Sequence, residues 1–178
     1  MSAPSPPEFS RIVRIDQIGR LAATTHISAK EAERTALARR FRLLALDRLD
    51  ADYALSMDGT GIVARGRVRA ALAQPCVATG VPVPESIDTD FTLRFVRDDA
   101  PMDEGAELEI DAEDCDTIGY DGQVIDMGEA VAETVALAMA PYPRSPDADA
   151  VLREAGVIGE EQASPFAVLL ALKGQGKK

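Results

Sequence analysis

Tryptophan is absent from this 178-residue chain, aromatic residues make up only 4% of it, and it holds one histidine and two cysteines. With so few rings, a core has to rest on leucine, valine, isoleucine and alanine. The single histidine, His26, is the only ready general base for a nucleophile. It stands two residues before Ser28, where local hydrogen bonding accounts for it. Cys76 and Cys115 lie 39 positions apart with no second ligand at close spacing, which argues against a metal centre and for reduced thiols. Cys76 has no sequence-adjacent base to lower its pKa and reads as unreactive. Cys115 lies among Asp111, Glu113, Asp114 and Asp116, which raise a thiol's pKa. That acidic run lacks the ligand alternation of a calcium loop. No glycine-rich phosphate loop is present. The longest apolar run, Phe166 to Leu172, is far too short to span a bilayer. Met1 to Ser10 is a proline- and serine-containing leader without a signal-peptide pattern. These absences predict a cytoplasmic protein that is not an enzyme and carries no cofactor.

Charge of one sign is missing from a long stretch. From Asp98 to Pro143 there is no lysine or arginine. Residues 1–97 hold 14 basic and 11 acidic side chains, a net of +3, while residues 98–178 hold 5 and 19, a net of −14. Together they give the chain its −11. The acidic half repels phosphate, so the whole chain is a poor general nucleic-acid binder. It suits a basic protein partner, with Asp111, Glu113, Asp114 and Asp116 as the nominated contact residues. Plain solubility is the competing explanation.

What is present is a strong hairpin signal at Asp58-Gly59. Ala51, Tyr53, Leu55 and Met57 alternate with polar residues before it, and Ala64, Gly66, Val68 and Ala70 alternate with Arg65, Arg67 and Arg69 after it. A two-residue Asp58-Gly59 loop sets Asp52 opposite Arg65 and Asp50 opposite Arg67. A four-residue loop sets Asp52 opposite Arg67 and Asp50 opposite Arg69. Either register makes a self-paired, solvated face a better reading than a nucleic-acid stripe.

Elsewhere the pattern predicts strands near Phe9–Ile15, Leu21–Ile27, Ile87–Val96 and Ala106–Asp111, with Ala112–Gly122 a loop or short strand. Ser28-Ala-Lys-Glu31 reads as a capping box opening a helix to about Leu44, with Leu37, Phe41 and Leu44 as its apolar stripe. Arg39 and Arg42, with Arg34, Arg40 and Arg48, make the richest basic patch, and Arg34, Arg39 and Arg40 are its candidates for touching RNA. Asp126-Met-Gly-Glu129 caps a second helix that ends near Met139 and turns Ala130, Val131, Thr134, Val135 and Ala138 inward. Asp147–Ala155 is a short surface helix, and Ser164-Pro165 launches an apolar last helix to Lys173. The expected architecture is α+β: a mostly antiparallel sheet of five or six strands curled toward a barrel, with flanking helices. Residues 1–8 form a leader, 9–173 a single domain and 174–178 a tail.

Three stretches in order carry a resemblance. Gln74-Pro-Cys-Val-Ala-Thr-Gly80 with Phe91-Thr-Leu-Arg-Phe-Val96, then Asp126-Met-Gly-Glu through Pro141-Tyr-Pro143, then Ser164-Pro165-Phe166 through Lys173 resemble the YceD family of large ribosomal RNA subunit accumulation proteins. The matching positions include Cys76, Gly80, Asp126, Pro141, Pro165 and Phe166. Many members carry two cysteines three apart, and Thr79 stands here where the second would be, so a two-cysteine zinc or redox role does not carry over. The resemblance implies an accessory factor for large-subunit rRNA accumulation; the charge distribution, not the resemblance, nominates a basic ribosomal or rRNA-processing protein as its partner. A competing reading is direct rRNA binding through Arg34, Arg39, Arg40, Arg65, Arg67 and Arg69. A third, a thiol or acid–base hydrolase, requires His26 and Cys76 to meet in one pocket.

Overall fold

A short strand, β1 (Ile12–Arg14), and a 3-10 turn over Ile15–Arg20 are the first elements among the described residues. The computed structural model describes residues 7–20, 22–59, 61–98 and 116–156. Strand β2 (Thr25–Ser28) and helix α1 (Glu31–Arg40) precede three long strands, β3 (Ala45–Asp58), β4 (Gly61–Pro75) and β5 (Pro82–Arg97). After them come β6 (Asp116–Tyr120), β7 (Val124–Asp126), α2 (Met127–Ala138) and α3 (Ala148–Glu154). The described residues group into two compact units, one of 7–74 and 84–141 and the other of 75–83 and 142–156.

In the first unit the sheet order is β2-β3-β4-β5-β6, with β1 and β7 forming a separate antiparallel pair. The fold is α+β, as the alternation implied, but the sheet is mixed and does not close into a barrel. Strand β6 runs parallel to β5, from Leu93↔Asp116 to Arg97↔Tyr120. A parallel neighbour cannot be reached by a hairpin and needs a connection of a dozen or more residues. Residues 98–115 supply that length. The strand expected at Ala106–Asp111 lies outside the described residues, as does the helix expected at Ser164–Lys173.

Alternation along the strands puts one face of the sheet into the core. Ala51 and Tyr53 of β3, Ala64 and Val68 of β4, and Phe91, Leu93 and Phe95 of β5 are all buried. Helix α2 adds Met127, Ala130, Val131, Ala132 and Val135, while α1 adds Leu37. Each such large side chain contributes roughly 1.5–3 kcal/mol when taken out of water. Ala138, expected inward, is exposed, and Ala132 takes the buried place. Gly66 sits on this face because nothing larger fits. A Cβ there would meet the Asp52 carbonyl oxygen and come within 2.7 Å of the Phe91 ring and 2.8 Å of Tyr53 Cβ.

Helix α2 begins as the sequence implied. Asp126 accepts from the backbone N–H groups of Gly128 at 3.0 Å and Glu129 at 3.2 Å. The same carboxylate oxygen takes the Arg11 N–H at 2.7 Å, so the cap also fixes the strand that enters β1. The helix ends at Ala138 with Met139 as its cap, as expected.

Helix α1 departs from expectation at both ends. Its N-cap is Lys30, whose N–H is taken by Glu33 at 2.6 Å. Ser28 belongs to β2 and pairs with Asp50, so the serine-to-glutamate spacing was a coincidence that strand pairing overrode. The helix stops four residues early. Arg42 adopts a left-handed φ of 57°, and the Leu43 N–H returns to the Ala38 carbonyl at 2.8 Å, a C-terminal turn normally made by glycine. Leu44 is therefore off the helix and 51% exposed.

Candidate functional site

The hairpin register decides what the arginines on β4 can do. Asp58 faces Gly61, so only residues 59 and 60 separate the paired strands. The turn is two residues long but sits one position later than Asp58-Gly59, which gives the partners expected of the four-residue loop, Asp52 opposite Arg67 and Asp50 opposite Arg69. Arg69 reaches Asp52 at 2.8 Å and Asp50 at 3.3 Å. Arg48, beyond a register shift between Leu46 and Arg48, also binds Asp50. Arg67 turns the other way, to Asp88 at 2.6 Å and Asp90 at 3.4 Å on β5. His26 on β2 completes the row, its Nδ1 lying 2.8 Å from Asp52 Oδ1. The outer face of the sheet is thus a charge ladder across β2, β3, β4 and β5. Hydrogen bonds from Arg48 to Asp50, from Arg69 to Asp52 and from Arg67 to Asp88 hold those carboxyls below the usual aspartate range. Arg65 projects from the same face without a carboxylate partner among the described residues.

The three helix arginines separate. Arg40 crosses from α1 to α2, binding Glu129 at 2.6 Å, Glu8 at 3.0 Å and Glu133 at 3.9 Å, and these bonds, that to Glu129 foremost, raise its pKa. Arg34 and Arg39 line a groove of about 430 Å³ between α1 and the start of β3, together with Glu31, Ala38, Leu44 and Asp47. Arg34 gives one hydrogen bond to the Ala29 carbonyl at 2.8 Å. The six nominated arginines therefore occupy three places: a groove, a helix-to-helix bridge and a sheet face.

Of the four acidic residues nominated for a partner, Asp111, Glu113 and Asp114 lie outside the described residues. Asp116 is exposed at the first position of β6, the last strand of the sheet. Several other carboxylates of the acidic half have local duties. Asp121 accepts from the Gln123 N–H at 3.0 Å, Asp126 caps α2, and Glu129 and Glu133 hold Arg40.

The motif residues of the central block have specific structural work. In the first unit, the Gln74 side chain donates to Glu85 at 2.8 Å and to the Ala140 carbonyl at 3.0 Å, while Glu85 accepts the Ala140 N–H at 2.9 Å. This fixes the chain just before Pro141. In the second unit, the Cys76 N–H binds the Val81 carbonyl and the Gly80 N–H binds the Cys76 carbonyl, each at 2.8 Å. Gly80 makes that turn with φ of 74°, a conformation that favours glycine. Cys76 is 3% exposed, and its Sγ accepts from the Ser145 N–H at 3.3 Å and the Ser145 hydroxyl at 3.5 Å. The Thr79 hydroxyl, first among these influences, and Ser145 lower the thiol's pKa from 9.0 to about 6. Thr79 Oγ1 nonetheless makes no well-directed hydrogen bond and is buried without one.

The reading of Cys76 weighed only a sequence-adjacent base; the groups that act on the thiol are instead the Thr79 hydroxyl and the donors of Ser145. Thr79 lies only three residues on, whereas Ser145 is 69 residues away in sequence, where no local pattern could have found it. Glu85 was missed for the same reason. His26 and Cys76 each have other partners, Asp52 for the first and Ser145 for the second. Among the described residues, no group of three or more histidine, cysteine, aspartate and glutamate side chains is placed to hold a metal ion. Pro165 and Phe166 lie outside the described residues.

The family model described as large ribosomal RNA subunit accumulation protein YceD matches residues 64–173, more than half of the chain. The chain belongs to the YceD family. The match takes in β4 from residue 64 on, β5, the Cys76 turn, α2 and α3. No curated protein and no solved structure matches the chain. No helix among the described residues is long and apolar enough to cross a membrane.

Proposed function

We propose that this protein is a non-enzymatic accessory factor that works by holding a basic ribosomal or rRNA-processing protein in the cytoplasm. Its family membership implies a role in accumulation of large-subunit ribosomal RNA. The observation that carries the choice of a protein partner over RNA is the state of the arginines. Arg40, Arg67 and Arg69 already face carboxylates at 2.6–2.8 Å, so phosphate would have to displace an internal partner to reach them. The chain's −11 charge opposes RNA further. A cation-rich protein meets the opposite field: the run from Asp98 to Pro143 has no basic residue, and Asp116 is exposed at the end of that run's acidic cluster.

The test reverses Asp111, Glu113, Asp114 and Asp116 together to lysine and compares proteins captured from cell extract. Loss of ribosomal proteins is expected. Unchanged capture would overturn the reading. Direct rRNA contact is the second reading, favoured by Arg34, Arg39 and Arg65, which have no carboxylate partner among the described residues. It requires purified protein to bind rRNA with a salt slope that flattens when these three are removed.

A further inference from the structure

Three apolar side chains of the second unit stand in solvent. Val77 is 58% exposed, Val81 46% and Tyr142 79%. They belong to one small region. Val77 donates its N–H to the Pro143 carbonyl at 2.9 Å, and the Cys76 N–H donates to the Val81 carbonyl across the turn. Val151 on α3, in the same unit, is 44% exposed. An exposed apolar group of this kind, on a motif turn anchored by a buried thiol, is a candidate docking surface.

We propose that the covering element is this chain's own segment 164–173, outside the described residues. Three observations converge on it. Phe166 to Leu172 is apolar at every position and the longest such run in the chain, so it has no polar face to leave in water in any conformation. The described chain leaves α3 through Gly156, with φ of 75°, inside the unit that carries the patch. The seven residues 157–163 can reach about 25 Å when extended, enough to cross a unit of this size. Finally, the family match includes both the Cys76 turn and the segment as far as Lys173. Patch and segment are also matched in charge: Val77, Val81 and Tyr142 carry none, and the segment has none before Lys173.

The experiment uses the full chain with Val81→Cys and Leu169→Cys in a Cys76→Ala, Cys115→Ser background, oxidised at low protein concentration. A disulfide within the monomer is expected. Cross-linked dimers would assign the patch to a second copy and overturn the proposal, as would absence of any cross-link. A second measurement spares the native cysteines. Hydroxyl-radical oxidation of Tyr142 should rise at least threefold in the Leu169→Asp, Leu170→Asp variant over the unaltered chain. An unchanged rate overturns the proposal.

Discussion

On one face of the five-stranded sheet Tyr53, Val68, Phe91, Leu93 and Phe95 are buried together, while one position along the same strands Asp52, Arg67, Arg69, Asp88 and Asp90 pair at the surface. The backbone is shared, so the difference is entirely one of side-chain environment. The inner face is held by close packing, where every lost methylene is felt. The outer face is held by ion pairs that exchange one set of polar partners for another, so each contributes little. The inner face fixes the fold. The outer face fixes which cations remain available to a ligand.

The comparison fails at once if the inner face can be hollowed without penalty. Phe95→Ala removes a ring that is 2% exposed and should cost about 3–5 kcal/mol in urea denaturation. A loss below 1 kcal/mol would mean that the core does not depend on this strand. The outer face has one member that behaves partly like the inner. Asp50 is 6% exposed and serves both Arg48 and Arg69. Asp50→Ala should cost about 1.5–3 kcal/mol, because it strips a nearly buried charged acceptor from two donors.

How much of this was legible follows from the range of each contact. Strict alternation made the two faces readable, since a strand's period of two is a local property. The choice between two hairpin registers was not, because moving a two-residue turn by one position changes every cross-strand partner. Asp126 was readable as a cap, because its partners are two and three residues away. Ser28 mimicked one, and only its pairing with Asp50 on β3 reveals it as strand. The end of α1 was hidden because Arg42 takes a left-handed turn with no glycine to announce it. The parallel β6, and Ser145 against Cys76, depend on residues far apart in sequence. The candidate site was therefore readable as residue types but not as partnerships.

Acid separates the faces more finely. Asp50, Asp52 and Asp88 have folded pKa values below the ordinary 3.8, each because an arginine donates to the charged form. A group depressed in this way adds stability that is fully present above 3.8 and is lost as pH falls through its folded value. Denaturation midpoints should therefore be level near neutral pH, begin to fall around 4.5 because Glu8 and Glu33 are held down in the same sense, and fall more steeply below 3.8. The Arg67→Ala, Arg69→Ala variant should show a shallower fall, while Phe95→Ala shifts the whole curve without changing its shape.

The smallest effect is the most discriminating. Arg67 is roughly half exposed and has two aspartate partners, so Arg67→Ala should change stability by no more than the scatter of the measurement, and by nothing detectable in 0.5 M salt. Its consequence lies elsewhere. Removing that guanidinium releases Asp88 and Asp90 and makes the outer face more acidic. If the arginines are internal counter-ions, capture of basic proteins should be maintained or slightly increased. If Arg67 touches RNA, rRNA binding should fall and its salt slope should drop by about one. A substitution that barely moves stability thus separates a self-neutralised face from a binding face.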